Sequence, residues 1–294
     1  MAPHGLVLLN KKPGLTSFQA LGPIKRATGT RKVGHAGTLD KFAGGLMALL
    51  VGPYTRLVPL FAELDKAYRA HFTFGLETDT LDPEGEVVNR GGVPARSVIE
   101  ETLGRFRGKI TQTPPEYSAV HVEGRRAYRM ARAGEVVVMP SRIVDVSTFS
   151  LEEYLPPEAT FRIRCSKGTY VRSLARDLGR ACGSAAYVSG LRRTAIGTFT
   201  LDEAVDLEAF DPERDIIPAH EFIPRLPGVG VGVVLENAVA RVQNGVPFQD
   251  SFLDAPPPGE ARIMALFSRE DDLLAVVERR ESDYQYRLVV AGAS

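Results

Sequence analysis

Residues 34–45 read GHAGTLDKFAGG, and Asp40 within them is the only acidic residue between Met1 and Arg56, a span that carries eight lysines and arginines. Such basic surroundings favour the charged form of a lone carboxylate. An ionised aspartate can serve as nucleophile or base; the same residue can equally cap a helix beginning near Lys41. His35, five residues earlier, can stack on a ligand, hydrogen-bond to it, or be structural. The glycines follow neither G-x-x-x-x-G-K-S/T nor G-x-G-x-x-G, which argues against a nucleotide phosphate loop. Their small size predicts instead that a ligand approaches the backbone closely beside the carboxylate.

Several elements must position these residues. The apolar run Leu46 to Val51 reads as core. In KAYRAHFTF, Tyr68, Ala70, Phe72 and Phe74 alternate with Arg69, His71 and Thr73, the period of a half-buried strand. ATFRIRC repeats that pattern, with Phe161, Ile163 and Cys165 inward. KGTYVRSLARDLGRACG predicts a turn and then a helix, with Val171, Leu174, Ala175 and Leu178 on its buried stripe, Arg172, Arg176 and Arg180 on the other face, and Gly183 as its stop. TSFQALGPIKR predicts a helix opened by a Ser or Thr cap. By default Tyr68 is a core aromatic, and Arg172 is solvated or touches phosphate. Helices and strands mix without a regular βαβ rhythm, so the class is α+β. From about Leu226 the runs VGVGVVL, ARIMALF, LLAVVE and YRLVVA predict a small all-β module, which divides the chain into residues 1–224 and 225–294.

At 294 residues and 44% hydrophobic content, the chain can bury one large core and a small one. Two cysteines, Cys165 and Cys182, without a Cys-x-x-Cys spacing argue for a reducing cytoplasm and against a disulfide scaffold or a zinc site. Neither a secretory signal nor an apolar stretch of the roughly 20 residues that span a bilayer is present, which predicts a soluble protein off the membrane. Net charge is zero, so overall charge alone does not draw nucleic acid. The distribution is uneven: Arg162 to Arg193 carries eight basic residues against Asp177, and Leu201 to Ile216 carries seven acids against Arg214. Two basic segments predict a positive face for a phosphate-rich partner, or simply solvated surfaces.

Five blocks, in order from Leu6 to Phe199, resemble the TruB-type tRNA pseudouridine synthases. GHAGTLDKFAGGLMALLVG is similar to that family's catalytic motif, G-H-x-G-T-L-D-x-x-A-x-G-L. KAYRAHFTFGLETDTLDPEGEV resembles its K-x-Y block with T-D-T-x-D-x-x-G. QTPPEYSAVHVEGRRAYRMARAGE matches Q-x-P-P-x-Y-S-A and the A-R-x-G that follows. CSKGTYVRSLARDLG matches K-G-T-Y-I/V-R-x-L, and LRRTAIGTF matches L-R-R-T-x-x-G-x-F. The N-terminal Lys-Pro-x-Gly-x-Thr-Ser pattern departs here, with Lys12 where proline is usual, and Lys41-Phe42 stands in place of Pro-Leu. The tail resembles a PUA-like RNA-binding domain in pattern rather than in motif.

The resemblance implies a pseudouridine synthase fold: a mixed, largely antiparallel sheet with flanking helices and a central cleft. It implies that Asp40 is the catalytic aspartate, that Arg172 pairs with it, and that Tyr68 packs against the target base and assists proton removal. His35 would stack in the RNA, Tyr170 and Leu191 would line the pocket, and Lys12 would join the substrate-binding residues. The partner would be the T-stem and loop of tRNA, with the uridine at position 55 flipped out of its stack, and the enzyme a cytoplasmic monomer. Isomerisation breaks C1′–N1, turns the uracil and joins C1′ to C5, which calls for no metal and no nucleotide cofactor. Asp40 can add to C1′ or take the C2′ proton. Two alternatives remain: a tRNA-folding chaperone with little catalysis, and a nucleoside hydrolase, which needs a second carboxylate that Asp79 or Asp82 would have to supply. In the family match these two belong to a structural turn.

Overall fold

The computed structural model describes residues 4–118, 121, 122, 124–126, 128, 130, 138–257, 259, 261–281 and 283–290. The A-R-x-G match, residues 131–134, and the final alanine of YRLVVA lie outside the described residues.

The core of the molecule is a ten-stranded sheet. Its first strand, β1 (Leu6–Lys11), leads to helix α1 (Ser17–Ala27), then to β2 (Val33–His35) and β3 (Gly44–Val51). Helix α2 (Val58–Glu63) precedes β4 (Lys66–Phe74), and α3 (Arg96–Leu103) precedes β5 (Gly108–Gln112). There follow the hairpin of β6 (Arg142–Leu155) and β7 (Glu158–Cys165), helix α4 (Val171–Ala181), β8 (Ala186–Ile196) and β9 (Val205–Asp206). The spatial order is β9-β1-β3-β8-β4-β7-β6-β5, with β2 paired to β3 and Phe199–Thr200 to β8. The β1/β9 and β3/β8 pairs are parallel and the rest antiparallel, which is the mixed, largely antiparallel sheet that the family resemblance implies.

β3 is apolar throughout because both of its faces are covered. Leu46, Ala48 and Leu50 share one buried cluster with Leu6 and Leu8, while Met47, Leu49 and Val51 meet Ala20, Leu21 and Ile24 of α1 on the other side. Helix α1 begins as expected: the Thr16 hydroxyl accepts from the Gln19 N–H at 3.2 Å, and the Gln19 carbonyl oxygen accepts from the Thr16 N–H at 2.8 Å, a reciprocal cap. In β4 and β7 the alternation holds, with Ala70, Phe72, Phe161 and Ile163 buried under Leu174 and Leu178 of α4. That helix stops at Gly183, whose φ of 66° is the left-handed conformation glycine adopts without strain.

The C-terminal strands β10 (Val229–Val233), β11 (Ile263–Phe267), β12 (Leu273–Arg280) and β13 (Asp283–Val289) form a four-stranded sheet in that order. The expected small sheet is present, with one helix added, α5 (Glu236–Gln243), whose Ala238 and Val242 pack against Leu266, Leu274 and Val277. The other side of this sheet joins the large core: Ala265, Phe267, Leu273, Val276 and Leu288 cluster with Leu6, Leu8, Leu46, Ala48 and Leu50. Among the described residues, no helix is long and apolar enough to cross a membrane.

Candidate active site

Asp40 lies on the connection from β2 to β3, where residues 41 and 42 form bends and the chain then enters β3. No helix begins near Lys41, so the capping alternative falls away. The connection is held from several sides. Ser17 clamps Leu39, its hydroxyl donating to the Leu39 carbonyl at 3.0 Å and accepting from the Leu39 N–H at 2.9 Å. The Gly14 N–H donates to the Lys41 carbonyl at 2.7 Å, and the Lys11 ammonium donates to the carbonyls of Ala43 (2.5 Å) and Leu15 (2.7 Å).

The expectation that the glycines admit a ligand is corrected by their neighbours. Gly45 has φ of 102°, and a Cβ there would collide with the Arg193 carbonyl of β8. A Cβ on Gly44 would press on the Lys11 carbonyl and the Pro13 ring at 3.1 Å. What approaches the backbone here is the protein's own chain, drawn close by the β3/β8 pairing.

Arg172, in the first turn of α4, is 5% exposed, where the sequence pattern placed it with Arg176 and Arg180 on the polar face. It is buried because that face looks onto carboxylates and carbonyls. Its Nη2 donates to Asp40 Oδ1 at 3.2 Å and its Nε lies 2.9 Å from Asp40 Oδ2. Nη1 reaches Asp82 Oδ2 at 3.2 Å and the Thr80 carbonyl at 2.8 Å, and Nη2 also donates to the Tyr117 carbonyl at 3.1 Å. The guanidinium therefore ties the Asp40 loop, the 79–86 turn and the 114–118 segment together, a geometry that a planar fork of donors suits.

Asp82 is the member of this cluster that the sequence left as a turn residue. Its Oδ1 accepts from the Thr80 hydroxyl at 2.6 Å and the Glu84 N–H at 3.0 Å, so it does build the turn, while its Oδ2 faces Arg172. Burial raises its pKa against those hydrogen bonds and the Arg172 charge. Leu81, just before it, has φ of 61°, a left-handed conformation unusual for a branched side chain, and is itself buried. Asp79 stays on the turn, accepting from the N–H groups of Thr80 and Glu86.

Tyr68 sits on β4 directly opposite Arg193 of β8 and Ile163 of β7. Tyr68 and Leu191, both expected at the site, pack against the same two core clusters. Burial raises the Tyr68 pKa against the pull of Arg193, leaving a neutral phenol at neutral pH. His35 ends β2, and burial followed by the Arg193 charge lowers its pKa, favouring a neutral imidazole able to stack. The Tyr170 backbone is clamped by Gln112 through bonds of 2.8 and 3.1 Å, which fixes the start of α4, and its ring lies under the Arg142 guanidinium, 5.3 Å from the centroid. Lys12 is exposed and paired with Glu208 at 2.9 Å, while Lys41 pairs with Glu84 at 3.4 Å. Both lysines that depart from the family pattern thus meet a glutamate.

The second basic segment is largely neutralised within the fold. Arg162 pairs with Glu152, Lys167 with Glu63, Arg176 with Asp177 and Arg180 with Glu77. Among the described residues, Lys25, Arg26, Arg31 and Lys32 in the first segment form no ion pair; the first two lie in the last turn of α1 and the other two between that helix and β2.

The buried Lys11 has its pKa lowered to about 8 by burial, with Asp40 opposing and Arg193 assisting. A lysine whose folded pKa lies below its unfolded value binds fewer protons folded than unfolded, so its contribution to stability rises with pH between the two. Relative to Lys11→Met, the unfolding free energy of the wild type is expected to rise between pH 8 and 10, by at most ~1.4 kcal/mol per pH unit. Urea melts at several pH values check this; a difference independent of pH would show that Lys11 is not desolvated.

Residues 25–171 match the model of the TruB family pseudouridylate synthase N-terminal domain, and residues 172–214 that of the tRNA pseudouridylate synthase B C-terminal domain. The chain is 41% identical to tRNA pseudouridine synthase B of Borreliella burgdorferi, over 94% of this chain and 95% of that one. It is 38% identical to the protein of the same name from Burkholderia mallei, over 99% of each. In fold it is similar to a chain in the crystal structure of a Cbf5-Nop10-Gar1 complex, with a TM-score of 0.71 at 24% identity, covering 98% of this chain and 84% of that one.

Proposed function

Because the chain belongs to the TruB family of pseudouridylate synthases and isomerises uridine to pseudouridine in tRNA, we propose that its target is one uridine of the T loop, flipped into the cleft beside Asp40. The observation that carries this reading is the two-point contact of Arg172 with Asp40, which orients a carboxylate at the open side of a cluster otherwise buried. Asp40 keeps 37% of its side chain exposed, against 5% for Arg172 and 9% for Asp82. Of the two carboxylates on Arg172, Asp40 is the more exposed, which supports its assignment as the one that meets substrate.

In this reading Asp40 acts on the sugar, at C1′ or at the C2′ proton, while Arg172 holds it aimed through two contacts. Tyr68 and Leu191 form the wall against which the uracil packs, and His35 stacks in the RNA to offset the cost of unstacking, a few kcal/mol. Tyr170 is assigned to the lining of the same pocket, and Lys12 to the RNA-facing edge. The division of labour follows residues 1–224 for catalysis and 225–294 for a PUA-like RNA contact. The enzyme acts as a cytoplasmic monomer and without a cofactor, since the isomerisation consumes neither water nor reducing equivalents. An unmodified tRNA transcript carrying tritium at uridine C5 tests the target: release is expected in proportion to a single T-loop pseudouridine, and modification at another position would overturn the assignment.

The unpaired cations of the first basic segment give a second expectation. Affinity for tRNA falls linearly in log–log form with salt, and Arg31→Ala reduces the slope by about one while weakening binding to all tRNAs alike. Filter binding across salt concentrations measures it; a flat line would remove the electrostatic contribution from this face.

A further inference from the structure

Arg142 begins β6 directly across from Gln112, the last residue of β5, and Gln112 is the side chain that clamps the Tyr170 backbone. Beside it, the Ser141 hydroxyl meets that of Thr113 at 2.8 Å, which ties the two strand ends together. From this anchored position the Arg142 side chain runs over the turn that leads into α4: a Cβ built on Gly168 would stand 3.4 Å from its Nη1. Its guanidinium ends over the Tyr170 ring. Two residues further along the chain is Arg172, which holds Asp40. Arg162, Arg176 and Arg180 each meet a carboxylate, and Arg172 meets two. Among the described residues Arg142 forms neither an ion pair nor a side-chain hydrogen bond, so its five donors are unspent.

We propose that Arg142 is an RNA-binding residue that grips a backbone phosphate flanking the target uridine, with the Tyr170 ring as its platform. The inference rests on the T-loop uridine reading above. Stacking occupies one face of the guanidinium and leaves its N–H groups pointing outward in the plane, where a phosphate can be met at two points. An ammonium at the same place would offer no flat face and no fork. A flipped nucleotide turns about its own backbone, so the phosphates on either side of it are displaced from their places in the stacked loop. Holding one of them stabilises the extruded state without touching the base. Phosphate contacts fix position and carry no sequence information, so the selection of uridine stays with the pocket. No covalent bond forms or breaks at Arg142.

The test is a thermodynamic cycle on binding of a T-arm stem-loop RNA. The phosphate on the 5′ or the 3′ side of the target uridine is replaced, one at a time, by an uncharged methylphosphonate, each RNA being compared with a control of the same sugars and ordinary phosphates. For the wild type, one of the two replacements is expected to raise Kd about tenfold. Arg142→Gln is expected to raise Kd for the control RNA by about the same factor, to lose its sensitivity to that replacement, and to lower the slope of log affinity against log salt by about one. Losses that multiply, with Arg142→Gln as sensitive as the wild type, overturn the proposal, as does a wild type indifferent to both replacements. A second arm keeps Arg142 and removes its platform: Tyr170→Leu is expected to cut the sensitivity to the neutral linkage about threefold or more. Full sensitivity in that variant overturns the stacked grip, and this arm decides alone should Arg142→Gln not fold. Wild-type turnover of the unmodified stem-loop reports on the T-loop reading separately: no pseudouridine there overturns that reading, whereas turnover without coupling overturns the role of Arg142 alone.

Discussion

Asp40→Asn is expected to release no tritium above background from C5-labelled tRNA, a loss of at least about 10³-fold or ~4 kcal/mol, while still binding tRNA within about twofold. The structure says why folding should survive the change. Arg172 keeps Asp82 and the carbonyls of Thr80 and Tyr117 when the Asp40 charge is removed, and an amide oxygen can still accept from one of its nitrogens. The loop itself is held by Ser17, Gly14 and Lys11 through backbone groups and not through the Asp40 side chain. A thermal unfolding midpoint near that of the wild type should therefore accompany the loss of turnover. Turnover within about tenfold of the wild type would assign Asp40 to structure and make tRNA binding without catalysis the leading account.

Arg172 carries the second large effect, on activity and stability together. Arg172→Lys retains the charge but offers one ammonium where the guanidinium meets two carboxylates and two carbonyls, so kcat is expected to fall about 10²-fold with tRNA affinity maintained. Arg172→Met goes further. It leaves Asp82 buried without a cation, and breaking a buried pair in this way costs ~3 kcal/mol of stability or more. Adding Asp82→Asn should return part of that loss, because the orphaned charge is gone, yet should restore no activity. Chemical denaturation of the three variants measures the first effect and tritium release the second. Equal stability of Arg172→Met and the wild type would mean that the Asp82 contact contributes nothing to the fold, and near-normal turnover in Arg172→Lys would remove the orienting role.

The sequence by itself determined most of the elements and, through its resemblance to the TruB family, the candidate site residues that they carry. A lone aspartate among cations, a tyrosine on an alternating strand and an arginine in the first turn of an amphipathic helix were legible because local periodicity and spacing are properties of the chain. The cap at Thr16, the stop at Gly183 and the alternation in β4 and β7 were legible for the same reason. Arg193 left a signal as well: in a strand, Arg192 and Arg193 must point to opposite faces, so one of two adjacent arginines had to enter the protein.

Tertiary structure decided what long-range pairing alone can decide. Arg172 looked like part of a solvated stripe until the loop of Asp40 and the turn of Asp82, 132 and 90 residues away, closed over it. The Gly44-Gly45 pair looked like room for a ligand until β8 was seen to pass against it. The two basic segments looked alike; only the fold supplies carboxylates to the second and leaves cations of the first open beside His35. Charge pattern along a chain counts residues, but whether a charge is free, paired or buried depends on which distant groups packing brings within a few ångströms, and no local period encodes that.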